Sequence, residues 1–347
     1  MIYLNAGNIW DNEYLDTVIL WNAGFHNTIQ VKSLFGSIAG LTPTARAFDR
    51  LPRRSWAFIE AYVKKAQDNG IAIRYTLNQS CISALESFYH GWFGKLRPDV
   101  QRLHNLGVHE WTIASPLLVE LLRDMFPDDF IEVSTIAETS TLEEAVTWSR
   151  LGANGINIST SINRDFPAID RIVKAGLLDV SILANEACLW RCPWRRECYN
   201  LSSHNSMRSE ELFGFYPFRR CTEVRLSDPT EWIKSRLVLP QWMKVYQERV
   251  GVSWFKIAYR THPKEVALPM LKWYMEQNFH GSLLELWPTI THLGSTSEPK
   301  NKHSIPVDEL GPGFLDHFIK HGHECSELAC DECRYCTRMY QMVTGSK

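Results

Sequence analysis

Val108-His-Glu-Trp-Thr-Ile-Ala-Ser115, followed by Pro116-Leu-Leu-Val-Glu-Leu-Leu-Arg-Asp-Met-Phe126 and then Phe130-Ile-Glu-Val-Ser-Thr-Ile-Ala-Glu138, reads as strand, helix, strand. The outer runs are rich in β-branched and aromatic residues, which suit an extended, half-buried chain. The middle run repeats its apolar residues at the helical period. Ser115 and Pro116 mark the junction, a cap residue followed by a proline whose missing N–H costs nothing at the first helical position.

The same unit recurs along the chain. Strands are predicted at 2–6, 31–38, 71–78, 108–115, 130–138, 155–163, 178–184 and 255–260. Helices are predicted near 11–24, 55–69, 83–106, 116–126, 141–151, 166–175 and 263–278. Ser140-Thr141-Leu142-Glu143 fits a capping box, and Gly70, Gly107, Gly152 and Gly176 each stop a helix before the next strand. Strands separated by helices pair in parallel, because a parallel partner needs a crossover. Eight such units predict an α/β fold, a (β/α)8 barrel of the TIM type. An open doubly wound sheet is the alternative, but no G-x-G-x-x-G follows the first strand. The barrel spans 1–290, with an unusually long insertion at 185–254 after strand seven, and a cysteine-rich extension covers 291–347. Within that extension 295–302 reads as a polar linker and 312–321 as a short helix.

Composition sets limits. Of 347 residues, 45% are apolar and 22% charged, which is ordinary globular material. A net charge of −2 gives no global field for nucleic acid. No run approaches a membrane span, and the N-terminus lacks an export signal, so a cytoplasmic protein without membrane partners is expected. In a reducing compartment, nine cysteines point to metal or catalysis more than to disulfides.

Those cysteines are clustered. Cys188, Cys192, Cys198 and Cys221 fall in the insertion with the spacing C-x3-C-x5-C-x22-C. Arg195 stands where a radical S-adenosylmethionine motif needs its third cysteine, and the spacing is not that of paired zinc knuckles. Soft thiolates directly beyond a strand end, with Arg191, Arg195 and Arg196 to offset their charge, favour an iron–sulfur cluster over structural zinc. Cys325, Cys330, Cys333 and Cys336 form a second set in the extension. Its tight C-x2-C-x2-C run suits a ferredoxin-type cluster or zinc, with His321 or His323 as a substitute ligand. Cys81 is either a buried apolar residue or a ligand in place of Cys198.

Barrel enzymes gather their chemistry where strands end. Asn78, Glu138, Asn163, Arg164, Asp165, Asn185, Glu186 and Arg260 occupy those ends, with Asp165 also reading as a helix cap. His204 follows the first cysteine set. There is no H-E-x-x-H, P-loop or G-x-S-x-G.

Several segments resemble the peptidase U32 family: Leu34-Phe-Gly-Ser37, Tyr75-Thr-Leu-Asn78, Ile162-Asn-Arg-Asp-Phe166, and Asn185-Glu-Ala-Cys188 with Cys192-Pro and Ser203-His204. They follow the expected order over most of 1–290. The chain carries Asn-Glu-Ala-Cys-x3-Cys-Pro where the better-known branch has Gly-[Ser/Ala]-x-Cys-x4-Gly-x-Cys, which marks a divergent branch. First labelled collagenase-like proteases, members of this family include oxygen-independent hydroxylases with a [4Fe–4S] cluster on four cysteines. They act on ubiquinone precursors, transfer RNA or ribosomal RNA, and prephenate is their implicated oxygen source.

The expectation is therefore an iron–sulfur redox enzyme, an oxygen-independent hydroxylase of a small molecule, peptide or RNA. It would use one or two [4Fe–4S] clusters, with zinc the alternative in the extension and prephenate as donor. Arg164 and Arg260 would hold carboxylates, Glu186 and His204 would move protons, and Asn78, Asn163 and Asn185 would contact substrate. An electron donor and a homologous partner subunit are the implied partners. A metal-dependent peptidase and a non-catalytic, metal-organised subunit are the rival readings.

Overall fold

The computed structural model describes residues 1–25, 28–81, 92–186, 188–206, 216–286, 304–311, 313–321 and 324–345, and the side chains at 92–95, 324 and 326 lie outside that description. Eight parallel strands close into a barrel in sequence order: β1 (Ile2–Gly7), β2 (Ile29–Gly36), β3 (Ala72–Leu77), β4 (Glu110–Ile113), β5 (Phe130–Val133), β6 (Gly155–Asn157), β7 (Asp179–Leu183) and β8 (Trp254–Ile257). Strand β8 pairs with β1 and closes the ring. All eight expected strands form; β3 to β8 are shorter than expected, β5 and β6 most of all. After β5 the chain winds into a 3-10 turn at Thr135–Ala137, and after β6 into another at Thr160–Ile162. Ser134 and Ser159 explain both endings, since their hydroxyls accept from the N–H two residues on, at 3.3 Å each. Such local bonds compete with the ladder.

The helices that wrap the strands are α1 (Asn12–Phe25), α2 (Trp56–Asp68), α3 (Trp92–Asn105), α4 (Pro116–Met125), α5 (Leu142–Arg150) and α6 (Phe166–Lys174). Residues 83–91 of the expected third helix lie outside the described residues. The box that starts α5 sits one residue later than expected. Thr141 Oγ1 accepts from Glu144 N, and Glu144 Oε2 accepts from Thr141 N at 2.9 Å. Gly107 and Gly152 take φ near +100°, the left-handed turn at a helix end that side-chain-bearing residues resist.

The long insertion folds as α7 (Arg195–Asn205), α8 (Tyr216–Ser227) and α9 (Thr230–Lys234). Its last part, α10 (Met243–Val250), packs on α6 and takes the seventh place in the outer ring, so the inserted segment is shorter than 185–254 implies. After β8, α11 (Lys264–Glu276) reaches α1 and completes that ring.

Apolar residues such as Leu4, Ile73, Trp111, Ile131, Ile182 and Phe255 are buried between strands and helices. The lumen itself is polar, although barrels of this class mostly fill it with branched apolar side chains. Glu132 of β5 accepts from Arg74 Nη1 of β3 at 2.7 Å and from Lys256 Nζ of β8 at 2.6 Å. Thr112 and Ser181 add bonds at 3.1 and 3.2 Å. Burial opposes the Glu132 charge, but Lys256 and Arg74 outweigh it and hold the carboxyl down at about 2. Burial lowers Lys256 to about 8 despite Glu132.

The extension carries α12 (Phe314–His321), α13 (Glu324–Glu327), α14 (Cys330–Cys333) and α15 (Tyr335–Thr344). Pro312, the 295–302 linker and the boundary at 291 lie outside the described residues. Phe314 stacks on Trp242 with centroids 5.3 Å apart, and Phe314, Leu315 and Phe318 join the core that the barrel strands build. No helix among the described residues is long and apolar enough to cross a membrane.

Candidate active site at the barrel mouth

Helix α7 lies over the carboxyl ends of the strands. Ser203 Oγ accepts from Ser80 N at 2.9 Å, Ser80 Oγ donates to Asn200 Oδ1 at 2.7 Å, and Ser206 Oγ accepts from Thr44 N at 3.1 Å. Beside this helix, above the ends of β3 to β6, lies a cleft of about 580 Å³, a size that holds a small molecule. Its walls include Ser80, Glu138, Ser159, Ser161, Arg196 and Tyr199. Glu138 has φ +55°, a left-handed conformation costing roughly 1–2 kcal/mol for a residue with a Cβ. Strain of this kind collects at functional positions. Arg195 Nη1 donates to Ser161 Oγ at 2.5 Å and lies 3.7 Å from Glu138 Oε1, while Arg196 Nε is 3.9 Å from Oε2.

Behind this wall the first cysteine set gathers. Cys188 comes from the loop after β7, Cys192 from the turn before α7, Cys198 from α7 and Cys221 from α8. Cys198 interacts electrostatically with Cys188, Cys192 and Cys221. Burial drives the Cys198 thiol up to about 12, and burial with Glu186 drives Cys188 well above the ordinary range. Cys188 donates to Glu186 Oε1 at 2.8 Å. Arg195, Arg225 and Arg46 supply positive charge to these sulfurs. None of the four cysteines lines the cleft; Tyr199 lines it and senses the thiols, and Arg195 joins the thiols to the wall through Ser161 and Glu138.

The donor set fits a metal–thiolate centre: soft ligands, compensating arginines and half-buried sulfurs. Its spacing distinguishes between centres. Around one zinc, thiolates at 2.3 Å sit about 3.8 Å from each other. Among the described residues no three cysteine sulfurs come within 4.8 Å of one another, in either set. The sulfurs therefore stand wider apart than the ligands of one tetrahedral zinc.

In the extension, Cys325, Cys330 and Cys336 interact with one another and with buried Arg164 and Arg236. Cys336 is pushed up to about 11 by burial. Cys333 turns away, its sulfur 3.9 Å from His317 Nε2. His317 places an imidazole beside that sulfur, and His323 lies outside the described residues. The two sets are linked, since Arg191 Nη2 donates to the Cys325 carbonyl at 3.1 Å and Arg236 stacks on Trp190 at 3.8 Å.

The structure separates the other expected site residues. Arg260 lies across the top of the lumen, bonded to Thr76 and Thr44, and no carboxylate pairs with it among the described residues. Burial and Arg46 lower its pKa well below the usual value. Asn78 holds the β2–α2 loop, accepting from Thr44 Oγ1 at 2.9 Å and Ala45 N at 3.2 Å. Three residues expected to face substrate are instead committed to backbone. Asn163 donates to the Leu183 and Arg236 carbonyls, Asn185 exchanges two bonds with Ala258, and Arg164 donates to Ile233 and Leu237. Their polar atoms stitch the insertion to β7 and β8. Asp165 is the cap expected, accepting from Ala168 N at 3.0 Å. His204 is half-buried in the last turn of α7 and does not line the cleft. Cys81 is half-buried beyond β3. Thr44, Arg46, Ser161 and Tyr199 carry no motif, and only the closed ring brings them to the mouth.

The fold and this mouth define a TIM-type barrel with a cysteine-bearing insertion. No family model matches the chain. The curated "Uncharacterized protease MJ1657" of Methanocaldococcus jannaschii is 27% identical over 285 residues, which is 82% of this chain and 81% of that one. The solved structure of the U32 peptidase Mk0906 shares the fold with a TM-score of 0.52 and 22% identity, over 74% of this chain and 91% of its own. The fold expected from the resemblance is thus the fold of a solved U32 peptidase, and the sequence likeness to a curated protease extends over most of the chain.

Proposed function

We propose that this protein is an enzyme that acts on an anionic small molecule in the α7 cleft, beside an iron–sulfur cluster held by Cys188, Cys192, Cys198 and Cys221. The reaction we assign is an oxygen-independent hydroxylation. One observation carries the reading: four thiols lie close enough to interact electrostatically beside Arg195, which donates to Ser161 Oγ in the cleft wall. Such a cluster, when bound, supplies one-electron chemistry and a Lewis-acidic iron. The chain's own groups do the rest. Arg195 and Arg196 hold a carboxylate in fork geometry, and Glu138 takes or returns a proton at its carboxylate oxygens. Arg260 adds a buried cation, bonded to Thr76 and Thr44, with no carboxylate partner among the described residues. A dicarboxylate oxygen donor such as prephenate suits this arginine-rich mouth, and reduction requires an external electron donor. In anaerobically purified protein, visible absorption from the cluster and hydroxylated product are expected together, and Cys188→Ser should remove both. Full activity without the absorption would overturn the cluster's role.

A second reading, a peptidase, is favoured by the protease and peptidase names of the relatives. It would need a metal with an open water position, for which Cys188 is a candidate ligand. Release of peptide fragments by the purified protein, lost in Cys188→Ser and independent of iron, would establish it over the first.

A further inference from the structure

A separate constellation lies at the opposite end of the barrel. His104 ends α3, His109 precedes β4, and Asp129 precedes β5. His104 Nε2 and His109 Nδ1 each lie 3.3 Å from the same oxygen, Asp129 Oδ1. Among the described residues these three are the group whose metal-ligating atoms all fall within 4.8 Å of one another. We propose that they form a site for a divalent transition ion of the zinc class, unrelated to the cysteine centres.

At 3.3 Å the His109–Asp129 contact serves as a hydrogen bond, and the same separation is the one that ligands take around a single ion. A charged N–H···O bond closes to about 2.7–2.9 Å. In a tetrahedral site with metal–nitrogen and metal–oxygen bonds of about 2.0–2.1 Å, neighbouring ligand atoms stand about 3.3 Å apart. Both imidazoles show that separation from one oxygen. Two imidazoles and a carboxylate also match the ligand preference of zinc, cobalt or nickel.

The surroundings are those of a built site. Trp111 Nε1 donates to the other carboxylate oxygen at 2.7 Å, which leaves Oδ1 aimed at the imidazoles. Bonds of this kind to the outer face of a ligand fix its orientation. His104 stacks on Phe126 at 4.0 Å with planes 5° apart, and Arg123 binds the Asp129 carbonyl at 2.9 Å. Asp129 is buried, while the His109 side chain is 52% exposed, so solvent completes the coordination. The ion would tie α3 to the starts of β4 and β5 on the face of the barrel where stability rather than catalysis is built.

Because the cysteines also take up zinc, the test is a comparison. Wild type, His109→Ala and Asp129→Asn are equilibrated with zinc, dialysed and assayed for zinc per chain, then melted with and without the ion. Wild type should retain one more zinc than either variant. Zinc should raise the wild-type Tm by a few degrees more than that of the variants, since an ion that binds only the folded chain stabilises it. His109 is half-exposed, so its variant should fold, and either variant alone suffices. Equal zinc content and equal Tm shifts would overturn the site.

Discussion

Glu132 bears two cations in the centre of the barrel, and each of its oxygens is engaged. Removing its charge strands Arg74 and Lys256 away from water, so Glu132→Gln should cost about 3–5 kcal/mol, read by denaturant unfolding. The same residue sets an acid limit. Its folded value, about 2, lies below its ordinary 4.5. The stabilisation is thus fully present above pH 4.5 and is lost as pH falls through about 2. Stability measured by pH titration should decline across that window, and the decline should flatten in Glu132→Gln. These lumen charges are invisible to a reading by motif, because Arg74, Glu132 and Lys256 meet only when three distant strands share one ring.

At the scale of elements, strands and outer helices are legible because each carries its own signals: β-branched runs, helical periodicity, caps and stopping glycines. Helix α7 is not. Its buried positions are Arg195, Tyr199, Ser202, Ser203 and Asn205, so it packs by hydrogen bonds and shows no apolar stripe. Ser203→Val should loosen it: hydrogen exchange over 195–205 should accelerate and activity fall, with a modest change in Tm. The cap at Thr141 is a local matter, and Thr141→Ala should cost about 1 kcal/mol without affecting the mouth. Of the candidate site, the cysteines announce themselves by spacing. Asn163, Arg164 and Asn185 also bond backbone, since strand ends need polar side chains for the irregular chain of an insertion as well as for ligands.

For the whole molecule, the extension and barrel share one core. Phe314 packs on Trp242 and under Arg164, so Phe314→Ala should cost roughly 3–5 kcal/mol and lower the melting of the barrel, not only of the tail. A single cooperative transition shifted downward in calorimetry is the expected result. The central claim concerns the sulfurs beyond β7. Anaerobic purification with iron, sulfide and zinc quantified per chain, in wild type and in Cys188→Ser, tests it most directly. The account predicts iron and sulfide in equal amounts in the wild type and their loss in the variant; a wild-type chain carrying zinc alone, or iron and sulfide unchanged in Cys188→Ser, would contradict it.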